Sequence, residues 1–451
     1  MTRTGFLGDL LAQLVERRFA PFRAASGKAL PELCRDLLSG QGEVSAMRIA
    51  REILVRYRAL DDGGRLAFFK MLLEEFDIDA EAVVAAATDY GQNRDAGTLA
   101  RVVEAAEPAR QELLRRLNHA PGATRDLVHI RRDLLRLIPQ EPALARADLD
   151  FAHLFASWFN RGFLVLRQIT WESPAKLLEK IIEYEAVHEI GDWEALRART
   201  DPPDRRCFAF FHPAMPDEPL IFVEVALVRK APGSVQALLD PGRTPLDPAE
   251  ADTATFYSIS NCQEGLKGIS FGNSLIKQVV ELLRLELPHL RSFVTLSPIP
   301  GLARWLKEQV AAGDAAAADL LATAAHGATF DDAQAQALRQ LAAHYLLDAK
   351  RSDGRPLDPV ARFHLGNGAQ VHEVHARADL SPRGLKQSCG AMVNYDYDLS
   401  AVEQNHEEYA QRGTVAATRS VRGLARAASE GMRAAATKNR KEATADGKPA
   451  L

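Results

Sequence analysis

Thr255–Leu306 reads TFYSISNCQEGLKGISFGNSLIKQVVELLRLELPHLRSFVTLSPIPGLARWL. A largely apolar run, Phe256 to Ile259, is followed by Gly265, Gly268 and Gly272. Leu275, Ile276, Val279, Val280, Leu282 and Leu283 then repeat at helical spacing. A second apolar run closes the stretch at Ser297-Pro298-Ile299-Pro300-Gly301. Strand, glycine turn, helix, strand is an arrangement that suits phosphate, because a helix starting near Gly272 points its free N–H groups and dipole back at the turn. The glycine spacing G-x-x-G-x-x-x-G is neither the G-x-G-x-x-G of dinucleotide folds nor the G-x-x-x-x-G-K-[ST] of P-loops. The expectation is a diphosphate held by this turn; a plain tight turn is the competing reading.

Upstream, Cys207 to Phe211 and Leu220 to Val228 read as strands joined by a Pro-bearing turn, the opening of a sheet. His212 at a strand end reads as a structural histidine. Glu224, in an apolar strand, is expected on the alternating solvent face. Residues 1–150 read as all-helical, a bundle with no His, Cys or carboxylate cluster at ligand spacing. Its first helix is expected around Leu10, Leu11, Leu14 and Val15, with Asp9 and Glu16 arguing against an organellar leader. Its role is expected to be structural, against the rest of the chain or another copy of itself. Residues 151–411 form the domain that carries the chemistry.

Downstream, Val310 to Lys350 is Ala-rich and helical, and Asp358 to Tyr397 returns to strand and loop. Read from spacing alone, Ser297 before proline is a turn residue and His364 near Asn367-Gly368 is a loop histidine. His372 and His375 lie near His364, but their spacing matches no zinc pattern, so no metal is expected. Residues 412–451 form a basic, Ala-rich tail with nine Lys/Arg against three Asp/Glu. It lacks the aromatic interleaving of a nucleic-acid binder. Over 451 residues the net charge of −4 likewise gives no case for nucleic acid or a membrane surface. No run of 18 apolar residues exists, so no membrane span is expected. The four cysteines are far apart and form no CxxC, which reads as reduced thiols in a cytoplasmic protein.

Three blocks carry a resemblance to a known family: FYSISNCQEGLKGISFGNSLIKQVV, then PHLRSFVTLSPIPGLARWL, then ARFHLGNGAQVHEVHARADLSPRGLKQSCGAMVNYDYDL. HPAMPDEPLIFVEVAL at His212 to Leu227 adds to them. In order and content they resemble malonyl-CoA decarboxylases. The glycine turn after a strand is also similar to that of GNAT acetyltransferases, though Gln263 to Gly268 matches their signature only loosely. The resemblance implies an α+β protein: an N-terminal all-helical bundle followed by a GNAT-acetyltransferase-like mixed-sheet domain. It implies catalytic Ser297 and His364. It assigns the CoA thioester to Lys267, Gly268, Ile269, Ser270, Phe271, Gly272 and Asn273, with Ser258 and Tyr397 as further pocket residues. Some members carry a glutamate where this chain has Ser270. A homotetramer assembled partly through the helical domain is also implied.

The chemistry implied is loss of CO2 from malonyl-CoA to give the enolate of acetyl-CoA. The thioester is itself the electron sink, so no cofactor is expected. The site must stabilise an oxyanion and protonate C2. The assignment is His364 as proton donor, with Ser297 as its hydrogen-bonded partner. Two other readings stand beside it: an acyl-CoA N-acyltransferase of the same fold, and a CoA-binding regulator without turnover.

Overall fold

The computed structural model describes residues 27–39, 42–269, 275–327 and 329–446; the side chains of 275 and 434–446 are not described. The helix expected around Leu10 to Val15 lies outside the described residues. The chain divides into two compact units: Met1–Trp158 with Glu264–Ile269, and Phe159–Gln263 with Ser270–Leu451.

The described part of the first unit is built of helices: Leu30–Leu38, Glu43–Arg58, Asp62–Glu75, Ala80–Gln92, Ala96–Ala106, Ala109–Asn118, Ala123–Leu137 and Ala145–Trp158. Their starts follow from local chemistry. Asp61, Asp79 and Asp95 each accept a backbone N–H of the first turn that would otherwise lack a partner. Leu33, Ile53, Phe69, Leu113, Leu127, Leu134 and Phe151 are buried. The segment Glu264–Ile269 docks on this bundle. Arg131 donates to the carbonyls of Gly265 (2.8 Å) and Lys267 (2.9 Å) and pairs with Asp148. A Cβ on Gly265 would lie 1.9 Å from the Val128 carbonyl oxygen, so only glycine allows this approach. Gly268 has φ +80°, the left-handed region. Both described glycines of the turn therefore carry backbone duties of their own.

The second unit is organised on an eight-stranded mixed sheet. Its strands are β1 (Val165–Ile169), β2 (Arg205–His212), β3 (Met215–Val228), β4 (Thr253–Asn261), β5 (Ser292–Thr295), β6 (Ser297–Pro298), β7 (Gln370–His375) and β8 (Met392–Asp396). The order is β1-β2-β3-β4-β5-β8-β6, with β7 also paired to β8. All pairs are antiparallel except β4–β5. That parallel pair runs from Thr253↔Ser292 to Phe256↔Thr295 and stops. Beyond it, β4 stays with β3, while Ser297 and Pro298 leave to pair with Val393 and Met392 of β8. The two parallel strands thus splay at the C-terminal end of β5. The β3–β4 register slips where Tyr257 is passed over, a bulge that bends β4 away from β5. The result is the helical bundle and the mixed-sheet domain expected from the sequence.

Both faces of the sheet are covered. Phe208, Phe210, Val223, Val225, Phe256 and Phe293 face one layer, which includes Ile276, Leu302, Leu338, Ala361 and Val421. Cys207, Ala209, Phe211 and Phe222 face another, with Leu177, Ile181 and Leu196. Glu224 points into that second side. It is fully buried and accepts from Arg199 Nη1 at 3.1 Å, not solvent-facing as alternation suggested. Burial pushes its carboxyl up to about 8, against the pull of Arg199. Strand β3 is central, with protein on both sides, so its alternation carries no solvent face. The segment Asp358 to Tyr397, expected as strand and loop, contains two helices, Pro359–Gly366 and Pro382–Ser388. The basic end of the chain is a helix, Arg419–Asp446, whose Val421, Ala425 and Ala428 are buried in the first layer.

Candidate functional site

Alternation along β5 and β6 places Phe293, Thr295 and Ser297 on one face. Along β8 and just past it, Val393, Tyr395 and Tyr397 share that face and its core. Tyr397 is fastened by its N–H to the Phe293 carbonyl at 2.9 Å. Above this floor runs the helix Pro359–Gly366. Asp358 caps it through Ala361 N–H (2.8 Å), and Pro359 stands at its first position, where no N–H is needed. Two turns on, His364 points down at the strands.

The geometry is a chain of hydrogen bonds. His364 Nε2 lies 3.0 Å from Ser297 Oγ, and Nδ1 lies 2.8 Å from the Tyr397 hydroxyl. Ser297 Oγ donates to Thr295 Oγ1 at 2.9 Å, and Thr295 Oγ1 also accepts from Tyr395 N–H at 3.1 Å. With the serine proton directed at Thr295, Nε2–H is left to donate to Ser297, and Nδ1 accepts from Tyr397. The network thus selects the Nε2–H tautomer. The imidazole stacks on the Tyr395 ring, centroids 4.4 Å apart and planes 24° apart. Ser297 is 5% exposed and His364 2%. Burial alone drives the His364 pKa down to about 3, so the ring is neutral at physiological pH. Burial also holds the Tyr397 hydroxyl well above its ordinary range.

Ser297, His364 and Tyr397 are therefore brought together. Thr295, Tyr395 and Asp358 complete the arrangement and were not singled out from the sequence. The D-P pair at Asp358-Pro359 is a helix-start signal that identifies the element, though not its load. Ser258 is placed elsewhere: it pairs in register with Glu224 and donates to Glu185 Oε1 and Oε2, each at 2.8 Å. Lys267, Gly268 and Ile269 belong to the first unit. Ser270, Phe271, Gly272 and Asn273 lie outside the described residues. His212 sits against the Phe159 ring, and its Nδ1 accepts from Ala214 N–H. His375 Nε2 meets Asn394 Oδ1. Among the described residues no group of three or more His, Cys, Asp or Glu is placed to hold a metal ion. All four cysteines are buried and unpaired.

The arrangement can shuttle a proton along Tyr397, His364 and Ser297 without a formal charge on the imidazole. It offers no G-x-S-x-G elbow for a serine hydrolase.

Residues 162–437 match the family model described as malonyl-CoA decarboxylase C-terminal domain, and residues 76–159 match its N-terminal domain. The chain is 32% identical over 417 residues to a mitochondrial malonyl-CoA decarboxylase of Anser anser anser, covering 81% of this chain and 80% of that one. A mitochondrial malonyl-CoA decarboxylase of Rattus norvegicus is 32% identical over 442 residues, covering 87% and 85%. Among solved structures, malonyl-CoA decarboxylase from Rhodopseudomonas palustris superposes with TM-score 0.83 at 50% identity, covering 89% of this chain and all of that one. The Agrobacterium vitis protein gives TM-score 0.83 at 49% identity, covering 88% and 99%.

Proposed function

This chain belongs to the malonyl-CoA decarboxylase family, and on that premise we propose that the Ser297–His364–Tyr397 relay carries the family's reaction, malonyl-CoA to acetyl-CoA and CO2. The observation that supports this reading most is the 3.0 Å contact between Ser297 and a fully buried, neutral His364. When the C–CO2 bond breaks, its electron pair delocalises into the thioester and the negative charge sits on C2 and the thioester oxygen. No further electron sink is required, so no cofactor is part of the proposal. A thioester enolate carbon is strongly basic. It can take a proton from a hydroxyl backed by a neutral imidazole; an imidazolium is not needed.

The step balances as follows. Ser297 turns its hydroxyl from Thr295 to C2 and delivers the proton. His364 Nε2–H passes to the serine oxygen, and the Tyr397 proton passes to Nδ1. A solvent proton replaces the one that leaves Tyr397 in the same relay, so the charge left by CO2 is neutralised and no tyrosinate persists in the buried site. This reading departs from the assignment made from the sequence: Ser297, not His364, meets carbon, and His364 replenishes the serine proton. We assign the CoA end of the substrate to the segment 267–273, on its glycine turn and Lys267. Tyr397 is the other pocket residue of this reading.

The test is incubation of purified protein with malonyl-CoA and no acceptor, following CO2 and acetyl-CoA. Stoichiometric release supports decarboxylation. Product only after an amine is added would indicate an acyltransferase, and tight CoA binding without turnover a regulator.

A homotetramer is proposed on the exposed Val84, Leu99 and Val103 of the adjoining helices Ala80–Gln92 and Ala96–Ala106. Light scattering at the monomer mass would contradict it. Four buried, unpaired cysteines suit a reducing compartment, and we place the enzyme in the cytoplasm. Fractionation that finds it in an organelle would overturn that. No helix among the described residues is long and apolar enough to cross a membrane.

A further inference from the structure

The contact between Ser297 Oγ and His364 Nε2 can run in two directions. If the serine donates to Nε2, its oxygen is a nucleophile with the ring as base, the arrangement that acylates a serine. If Nε2–H donates to the oxygen, the hydroxyl is left to act as an acid. The two ends of the chain decide between them. At one end, among the described residues, the Tyr397 hydroxyl has Nδ1 as its one hydrogen-bond partner, at 2.8 Å. Tyr397 is buried, and a buried donor left without an acceptor is costly. Its proton therefore points at Nδ1, and the ring keeps its own proton on Nε2. At the other end Ser297 Oγ donates to Thr295 Oγ1 at 2.9 Å.

Thr295 is held so that it can only receive that proton. It is fully buried. Its Oγ1 also accepts from Tyr395 N–H at 3.1 Å, so with Ser297 both lone pairs of the hydroxyl are taken. Its backbone is fixed as well: Asn394 Nδ2 donates to the Thr295 carbonyl at 2.8 Å. Asn394 is itself tied, through Nδ2 to the Pro232 carbonyl and through Oδ1 to His375 Nε2. Strand β8 thus grips the threonine by side chain and main chain together. Valine would fill the same space and offer Ser297 no acceptor.

We propose that Thr295 is the positioning residue that decides which reaction the site performs: by taking the serine proton it keeps Ser297 an acid toward C2 and withholds it as a nucleophile from the thioester carbonyl. The inference rests on the decarboxylase reading and deepens it. The reaction held off is hydrolysis of the thioester. In it Ser297 Oγ would bond to the carbonyl carbon while Nε2 took the serine proton. The C–S bond would break, and the CoA thiolate would recover that proton from the ring. Water would then add to the acyl-serine carbonyl and give a proton to Nε2. The ester C–O bond would break, the serine oxygen would take the proton back, and a free acid would leave. Every step needs an unprotonated Nε2 facing Ser297, and the observed direction of the chain denies it.

Three variants test it, Y397F, T295V/Y397F and T295S/Y397F, each checked for an unchanged thermal melt. Y397F frees the Nδ1 end, so that Thr295 alone holds the direction. The probe is acetyl-CoA, which has no carboxylate to lose, and the readout is free CoA thiol together with acetylation of the peptide that contains Ser297. T295V/Y397F should release thiol about 10²-fold faster than Y397F, the low end of what general-base activation contributes. T295S/Y397F, which keeps the acceptor, should be no faster than Y397F. A T295V/Y397F rate within a few-fold of Y397F overturns the proposal, and so does equal release by T295S/Y397F and T295V/Y397F. The wild type gives a check that needs no variant to fold well. Nitrogen NMR of its histidines, with the His364 signals identified by their loss in His364→Gln, should show the proton on Nε2; a proton on Nδ1 overturns the proposal. Neither measurement involves loss of CO2, so failure here and failure of the decarboxylase reading, seen as no CO2 from malonyl-CoA with the wild type, remain distinct.

Discussion

His364 has both ring nitrogens engaged, Nε2 with Ser297 and Nδ1 with Tyr397. Removing either neighbour should therefore act through the ring. His364→Ala and Ser297→Ala are each expected to lower kcat by about 10²–10⁴, the usual weight of general acid catalysis. Tyr397→Phe leaves the ring in place but removes the group that replenishes its proton. A smaller loss in kcat, about tenfold, with KM little changed, is expected from steady-state rates. The pH dependence follows from burial. With the His364 pKa down at about 3, this ring stays neutral in the folded protein between pH 8 and 5, and kcat should be flat there. An inflection near 6.5 that vanishes in His364→Gln would contradict the neutral-ring relay. Stability behaves differently. Between about 6.5, the free value, and about 3, the unfolded chain binds a proton that the folded chain refuses. This residue therefore subtracts stability progressively as pH falls through that window.

The elements explain why the pair was visible only through resemblance. Ser297 is positioned by a two-residue strand that leaves β5 for β8, and no periodicity in Leu296-Ser297-Pro298 announces such a crossing. His364 reads as a loop residue because its helix has eight residues, too short for a 3.6-residue pattern to stand out. The signal present was its start: Asp358 followed by Pro359. Asp358→Ala should cost about 0.5–2 kcal/mol through the lost cap and lower kcat by tilting His364, as read by denaturant unfolding and rates. Asp358→Asn keeps the cap oxygen and should rescue much of both. Gly301, which begins the helix after Ser297, has a different constraint. A Cβ there would lie 2.0 Å from the Tyr345 hydroxyl. Gly301→Ala is expected to lower the melting temperature by several degrees.

At the scale of the whole molecule, the fold class was legible because Thr255–Leu306 contains both parallel strands and their connecting helix, and the helical periodicity of the N-terminal region is long. Boundaries were less legible. The helical series runs to Trp158, past the bound at 150 read from the sequence. The terminal basic segment is a helix packed into the sheet's core layer. Glu224 shows the limit of pattern reading most clearly. An acid in an alternating strand looks solvated until one knows that two layers of helix cover the sheet. The resemblance supplied the chemistry and the structure supplied its geometry. The most direct test of their union is the rate of CO2 and acetyl-CoA formation from malonyl-CoA, without cofactor or acceptor, by the wild type and by His364→Ala with an unchanged melt. The account predicts equimolar products from the wild type and a rate at least about 10²-fold lower in the variant; a variant rate within a few-fold of wild type would contradict it.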